Sequence, residues 1–164
     1  MVGKTTIARI LACRLQYSCI STDDLGAAIS AVTDSITQPA FHYMGSQDFR
    51  EYYVTTSQVK LIRDLNGYHE AVWPALEKLI HNHLTWSTAA IFEGWALRPA
   101  YLAQLTGDLD GLFLLADDSL IEHRIRTCPF SQRASDEGTM IKNYLARSVW
   151  YNALLRDQIK TFGL

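Results

Sequence analysis

Short apolar runs that end in an acid, separated by stretches of helical periodicity, constrain this chain more than any other feature. Tyr17–Ser21 is apolar at its centre and runs into Thr22-Asp23-Asp24. Ala89-Ala90-Ile91-Phe92 runs into Glu93-Gly94, and Gly111-Leu112-Phe113-Leu114-Leu115-Ala116 runs into Asp117. Continuous runs of this length read as strands buried on both faces, and such strands belong to a parallel sheet covered by helices. The expected fold class is therefore α/β, in a single domain spanning residues 1–164. About half the chain is apolar, enough for a genuine core.

The segments between the runs carry helical signals. Lys4–Gln16 places Ile7, Ile10, Leu11 and Leu15 on one face, and 24–33 continues in the same way. Residues 34–46, with Asp34, Ser35, Pro39 and Gly45, read as loop. Asp48–Leu65 is expected to be a helix stopped by Asn66-Gly67. Val72, Leu76, Leu79, Ile80 and Leu84 form a further stripe, with Pro74 near its beginning. Leu102–Gly107 reads as a short helix and turn, and 119–126 as a helix broken at Cys128-Pro129. The last helix is expected to start at an N-cap Ser135, with Asp136 and Glu137 at the positive end of its dipole. It carries Ile141, Tyr144, Leu145, Ser148, Asn152, Leu155 and Ile159 on one side and ends at Gly163.

Gly3-Lys4-Thr5-Thr6 opens the first helical pattern and matches the second half of the Gly-x-x-x-x-Gly-Lys-[Ser/Thr] phosphate-binding loop. Gly3 lets backbone approach phosphates, and the helix N-terminus offers N–H groups and a positive dipole end. Lys4 would neutralise the β and γ phosphates, Thr5 would ligate magnesium, and Thr6 would approach the α phosphate. The competing reading is the polar first turn of a surface helix. The loop's first glycine and the strand that should feed it are not in the sequence. An N-terminally truncated sheet is therefore expected, with buried backbone groups each costing about 1–3 kcal/mol if left unpaired.

Asp23 and Asp24 stand at the C-terminal end of an expected strand, where open α/β sheets bind ligands. A carboxylate there can position an acceptor hydroxyl or take its proton, with Asp23 the favoured residue; an N-cap for a helix starting at Leu25 is the structural alternative. Glu93, at the end of the next run, is a candidate for the magnesium region. Arg124, Arg126 and Arg133 flank Cys128-Pro129-Phe130, where a mobile lid would stabilise a transferring phosphoryl group. Each is equally readable as a solvated surface arginine. Arg147 and Asn152 are expected to hydrogen-bond in the core. His81 and His83 cannot share a helix face, so a two-histidine metal site is not expected. Trp73, Trp86, Trp95 and Trp150 are too irregular for a base-stacking platform.

Net charge is −2, which gives no footprint for duplex nucleic acid. No apolar run approaches the ~20 residues that cross a bilayer, and the start has neither signal- nor transit-peptide character. Cys13, Cys19 and Cys128 lack metal-ligand spacing and read as buried or half-buried thiols in a reducing compartment. A cytoplasmic location is the expectation.

Three landmarks, Gly3-Lys4-Thr5-Thr6, Ile20-Ser21-Thr22-Asp23-Asp24-Leu25 and Ile91-Phe92-Glu93-Gly94, resemble those of the P-loop small-molecule kinases. The nearest likeness is the 2-phosphoglycerate kinase type, and the Asp-Asp feature is also similar to polynucleotide kinases and zeta-toxin-like proteins. The resemblance implies a five-stranded parallel sheet, ATP with Mg²⁺, and a small hydroxyl-bearing acceptor, phosphorylated or not, bound near Asp23. It assigns Lys4 and Thr5 to the nucleotide and Glu93 to the metal. Gly26 departs from it, standing where related sequences often carry an arginine. Cys128 falls where a second lid arginine is expected, and the sequence stops at Leu164, about where a final strand would begin. The leading expectation is a kinase; the alternatives are a non-catalytic nucleotide-binding remnant and an ATPase module.

Overall fold

Two of the three apolar runs become strands. Ser18–Ser21 forms β1 and Ala90–Glu93 forms β2, parallel and in register from Ser18↔Ala90 to Ser21↔Glu93. The computed structural model describes residues 2–164, and among these the sheet has two strands. The chain is mixed α/β and mostly helical. Helix α1 (Lys4–Leu15) precedes β1. The crossover that a parallel pair demands runs through α2 (Thr22–Val32), α3 (Phe49–Thr55) and the long α4 (Gln58–Trp86). After β2 come α5 (Pro99–Leu102), α6 (Asp118–Thr127) and α7 (Glu137–Phe162).

The expected third strand, Gly111–Asp117, does not form. The run is without helix or strand structure, and Leu112 is 71% exposed. Among the described residues, the backbone of 111–115 has no backbone partner. At Ala116 the Asn152 amide donates to the carbonyl at 2.9 Å. A ladder needs a partner edge about 4.8 Å away. Here a cavity of about 1040 Å³ is lined by 90–95 on one side and by Asp108–Leu114 on another, so among the described residues β2 lacks a second strand neighbour.

The same cavity explains why the apolar stripe of α1 does not become core. Ile7, Leu11 and Leu15 line it and remain 40–46% exposed, while the small Ala8 and Ala12 are the buried positions of this helix.

The helix expected over Asp48–Leu65 breaks earlier. It is interrupted at Thr56-Ser57, both extended, and the Ser57 hydroxyl accepts from the Lys60 N–H to start α4. Asn66-Gly67 and Pro74 then lie inside one continuous helix. A glycine costs about 1 kcal/mol there, and Pro74 removes the bond to the Glu70 carbonyl. The buried stripe Leu61, Leu65, His69, Val72, Leu76 and Ile80 outweighs both. Asn66 also accepts from Arg98 at 2.7 Å.

Two apolar clusters hold the helices together. Val72, Leu76, Phe41 and Ala96 join α4 to the segment after β2, with Leu25 and Ile29 of α2 against them. Tyr52, Tyr53, Leu61 and Met140 join α3, α4 and α7. The cap of α7 is Asp136, not Ser135: its carboxylate accepts from the Thr139 N–H at 2.9 Å. Ser135 is drawn instead to Glu51, donating through both N–H and Oγ. Gly163 ends α7 at φ 68°, as its position suggests. The short helix near 102 sits a few residues earlier than expected because Pro99 starts it. Cys13 and Cys19 are exposed and Cys128 is half-buried, so two of the three thiols are more accessible than their type suggests. Among the described residues no helix is long and apolar enough to cross a membrane.

Candidate active site at the mouth of α1

Gly3 is the N-cap of α1, at φ 93° and ψ 13°, a left-handed conformation that glycine adopts without steric cost. It provides no side-chain cap, and the first turn holds no acid. The first N–H groups of α1 therefore have no capping side chain beside Lys4, Thr5 and Thr6, an anion-receptive end. Thr6 is exposed and lines the cavity.

Lys4 and Thr5 both converge on Glu93. Lys4 Nζ lies 3.1 Å from Glu93 Oε2, and Thr5 Oγ1 donates to the same oxygen at 3.0 Å. Glu93 is 8% exposed, so its charge is held by these donors. Strand β2 puts it there: the register places Glu93 beside Ser21, the residue before α2 begins.

A divalent ion fits this donor set in one respect. Octahedral magnesium, with bonds of 2.0–2.1 Å, sets neighbouring oxygens about 2.9 Å apart, close to the Thr5–Glu93 separation. No cluster of three or more His, Cys, Asp or Glu exists among the described residues.

Asp23 lies in the first turn of α2. Ser21 is the N-cap and its hydroxyl accepts from the Asp24 N–H at 3.2 Å, so neither aspartate caps a helix beginning at Leu25. Asp23 is exposed, although protein atoms crowd part of its carboxyl. Burial of that side raises its carboxyl above the ordinary value; Lys4 opposes the shift, Glu93 and Asp24 add to it, and Arg147 also opposes it. Asp23, Lys4, Glu93 and Arg147 thus share one electrostatic neighbourhood.

The chain packs tightly here. Gly94 has φ 151°, and a Cβ on it would stand 1.6 Å from Thr22 Oγ1. A Cβ on Gly26 would stand 1.7 Å from the Tyr68 hydroxyl. The position where the family resemblance implies an arginine therefore yields its space to a phenol. Tyr68 is pushed up to about 12, by burial first and by Asp23 next.

The three lid arginines part company. Arg124 Nη1 lies 4.0 Å from the position a Cβ would take on Gly3, so its guanidinium approaches the loop. Arg126 instead pairs with Glu122 at 2.8 Å on the exposed face of α6. Arg133 is exposed, at φ 77° in the turn before α7. His81 and His83 form no pair: His83 bonds the Thr88 carbonyl and packs on Phe92. Trp73 stacks on Tyr101, and Trp95 packs against Tyr151.

Arg147 does not bond Asn152. Its guanidinium carbon lies 4.6 Å from the Trp95 ring centre, 4.7 Å from Tyr144 and 5.4 Å from Tyr53. The sequence signal was present, since Tyr144 precedes it by three residues on the same helix face.

Comparison with protein-family models, curated proteins and solved structures gives no match for this chain.

Proposed function

We propose that this chain is a magnesium- and ATP-dependent phosphotransferase acting on a small hydroxyl-bearing acceptor. One observation carries the reading: Lys4 and Thr5, at an uncapped helix N-terminus behind a left-handed glycine, meet Glu93 within the field of Asp23.

In this reading the polyphosphate of ATP lies along the first N–H groups of α1. Lys4 would exchange Glu93 for the β and γ phosphates, and Thr5 and Glu93 would hold a magnesium ion, whose chemistry there would be neutralisation of phosphate charge. Asp23 orients the acceptor hydroxyl and takes its proton as the oxygen bonds to the γ-phosphorus and the bond to ADP breaks. The Asp23 carboxyl, raised by desolvation above its ordinary value, is in keeping with that role. Arg124, beside Gly3, supports charge on the transferred group.

A second reading, a nucleotide-binding module without transfer, is favoured by the single-ladder sheet and the exposed face of α1. One experiment separates the two. ATP with Mg²⁺ should raise the melting temperature of the wild type but not of Lys4→Ala, and labelled γ-phosphate should appear on an acceptor pool of small alcohols. Binding without transfer supports the module; an equal response from Lys4→Ala sinks both.

A further inference from the structure

Among the described residues β2 pairs with β1 on one edge and with no strand on the other. Across the cavity on that second side runs the chain from 111 to 115, whose backbone has no backbone partner among the described residues. Two stretches of main chain with unspent N–H and C=O groups therefore border one slot. Such groups are a template for pairing with a further extended chain.

The walls of the slot say which side chains that further chain carries. Ile91 and Phe92 both line it, and consecutive strand residues point to opposite faces, so the slot opens on both faces of the sheet. Helix α1 supplies Ile7, Leu11 and Leu15 to it, and α4, α5 and α7 supply Leu84, Leu102 and Leu155. A strand between such walls is apolar at successive positions, not at alternate ones. A small amphiphile would cover these walls but answer neither backbone edge. A second copy has no free run to lend, because the three short apolar runs of this chain are β1, β2 and the far border of the slot itself.

We propose that this slot is a docking site for a partner polypeptide, which lays about five consecutive apolar residues beside β2 and continues the β1–β2 ladder across to 111–115. Main-chain hydrogen bonds hold the inserted strand, and its aliphatic side chains select it by filling the space between α1 and the helices opposite. The docking does not depend on the phosphotransferase reading.

The test uses the whole chain and a synthetic peptide, acetylated and amidated, with about five consecutive Val, Ile and Leu residues between terminal lysines. Fluorescence anisotropy of the labelled peptide measures affinity, and amide exchange locates it. The peptide should bind and slow exchange within 90–93 and 111–115. The same peptide N-methylated at alternate amides keeps its side chains but loses main-chain bonds, and should bind roughly 10- to 100-fold more weakly. Leu11→Asp, which puts a carboxylate in the α1 wall, should weaken the unmodified peptide about tenfold or more while leaving whatever response to ATP the wild type has. The N-methylated peptide serves if Leu11→Asp does not fold. Equal affinity of the two peptides overturns strand pairing, as does decanoate giving the same exchange protection. Failure of the peptide to bind overturns the partner; protection seen only when the same run is joined ahead of Met1 assigns the slot to the chain itself. Dimers that the peptide does not disperse assign it to a second copy and overturn the partner equally.

Discussion

Lys4 and Thr5 donate to the same oxygen of Glu93, Lys4 from 3.1 Å and Thr5 from 3.0 Å. An ammonium and a hydroxyl from the first turn of α1 thereby fasten that helix to the end of β2. The arrangement is strong while complete and costly when broken, because the acceptor oxygen belongs to a nearly buried carboxylate.

Lys4→Met should therefore destabilise the chain by about 1–3 kcal/mol, and adding Glu93→Gln should recover much of that loss. Urea unfolding of the single and double variants measures it. Additive losses in the double variant would contradict a coupled pair.

Asp23 gives a pH-dependent signature. Its folded carboxyl lies above its unfolded value of 3.8, so the folded state holds the proton longer. Its stability contribution is present below 3.8 and is lost as pH rises through the folded value. Lys4 favours the charged form, so Lys4→Met should move the Asp23 midpoint further upward. Carbonyl-region ¹³C NMR titration follows this directly; a midpoint that falls would contradict the shared field.

His69 titrates in the opposite sense. Burial first, then the Arg98 and Arg147 cations, push it down to about 2, and Arg98 Nε donates to its Nδ1 at 3.0 Å. The ring stays neutral when folded, whereas the unfolded chain protonates it near 6.5. Stability should fall by about 2 kcal/mol between pH 6.5 and 5 from this group alone. His69→Gln should flatten that part of the profile in urea titrations run at both pH values.

The arginines of α6 should separate functionally. Removing Arg126 breaks an exposed i,i+4 pair with Glu122, worth about 0.3–0.5 kcal/mol, and should leave phosphoryl transfer within about twofold. Arg124→Ala, beside Gly3, should lower kcat by tenfold or more. Equal effects in the two variants would remove Arg124 from the site.

Gly94→Ala should be among the most damaging single changes, costing about 2–4 kcal/mol through overpacking and backbone strain. Thr22→Ala removes the atoms at 1.6 and 3.0 Å but leaves Thr22 Cβ at 2.7 Å. It should rescue the melting temperature only in part.

The sequence made β1, β2, α1, α6 and the C-terminal end of α7 legible because each is set by local signals: apolar runs, helical periodicity or a stop. It also singled out Lys4, Thr5 and Glu93, which a helix start and a strand end bring together. Gly111–Asp117 misled because an apolar run states only that a segment can pair, and pairing needs an edge within reach. Asn66-Gly67 misled because a helix-breaking dipeptide costs less than the buried stripe on either side returns. The caging of Arg147 depends on Tyr53 and Trp95, distant in the chain, and no local pattern announces such a meeting.

Among the described residues strand β2 is laddered on one side only, yet it carries the carboxylate on which the proposed site depends. Filling that site and ordering the strand must then be thermodynamically linked, each drawing on the same conformational freedom. Amide exchange at Ile91 and Phe92 should slow when magnesium nucleotide is added, and the protection gained there should scale with the affinity measured at the helix mouth.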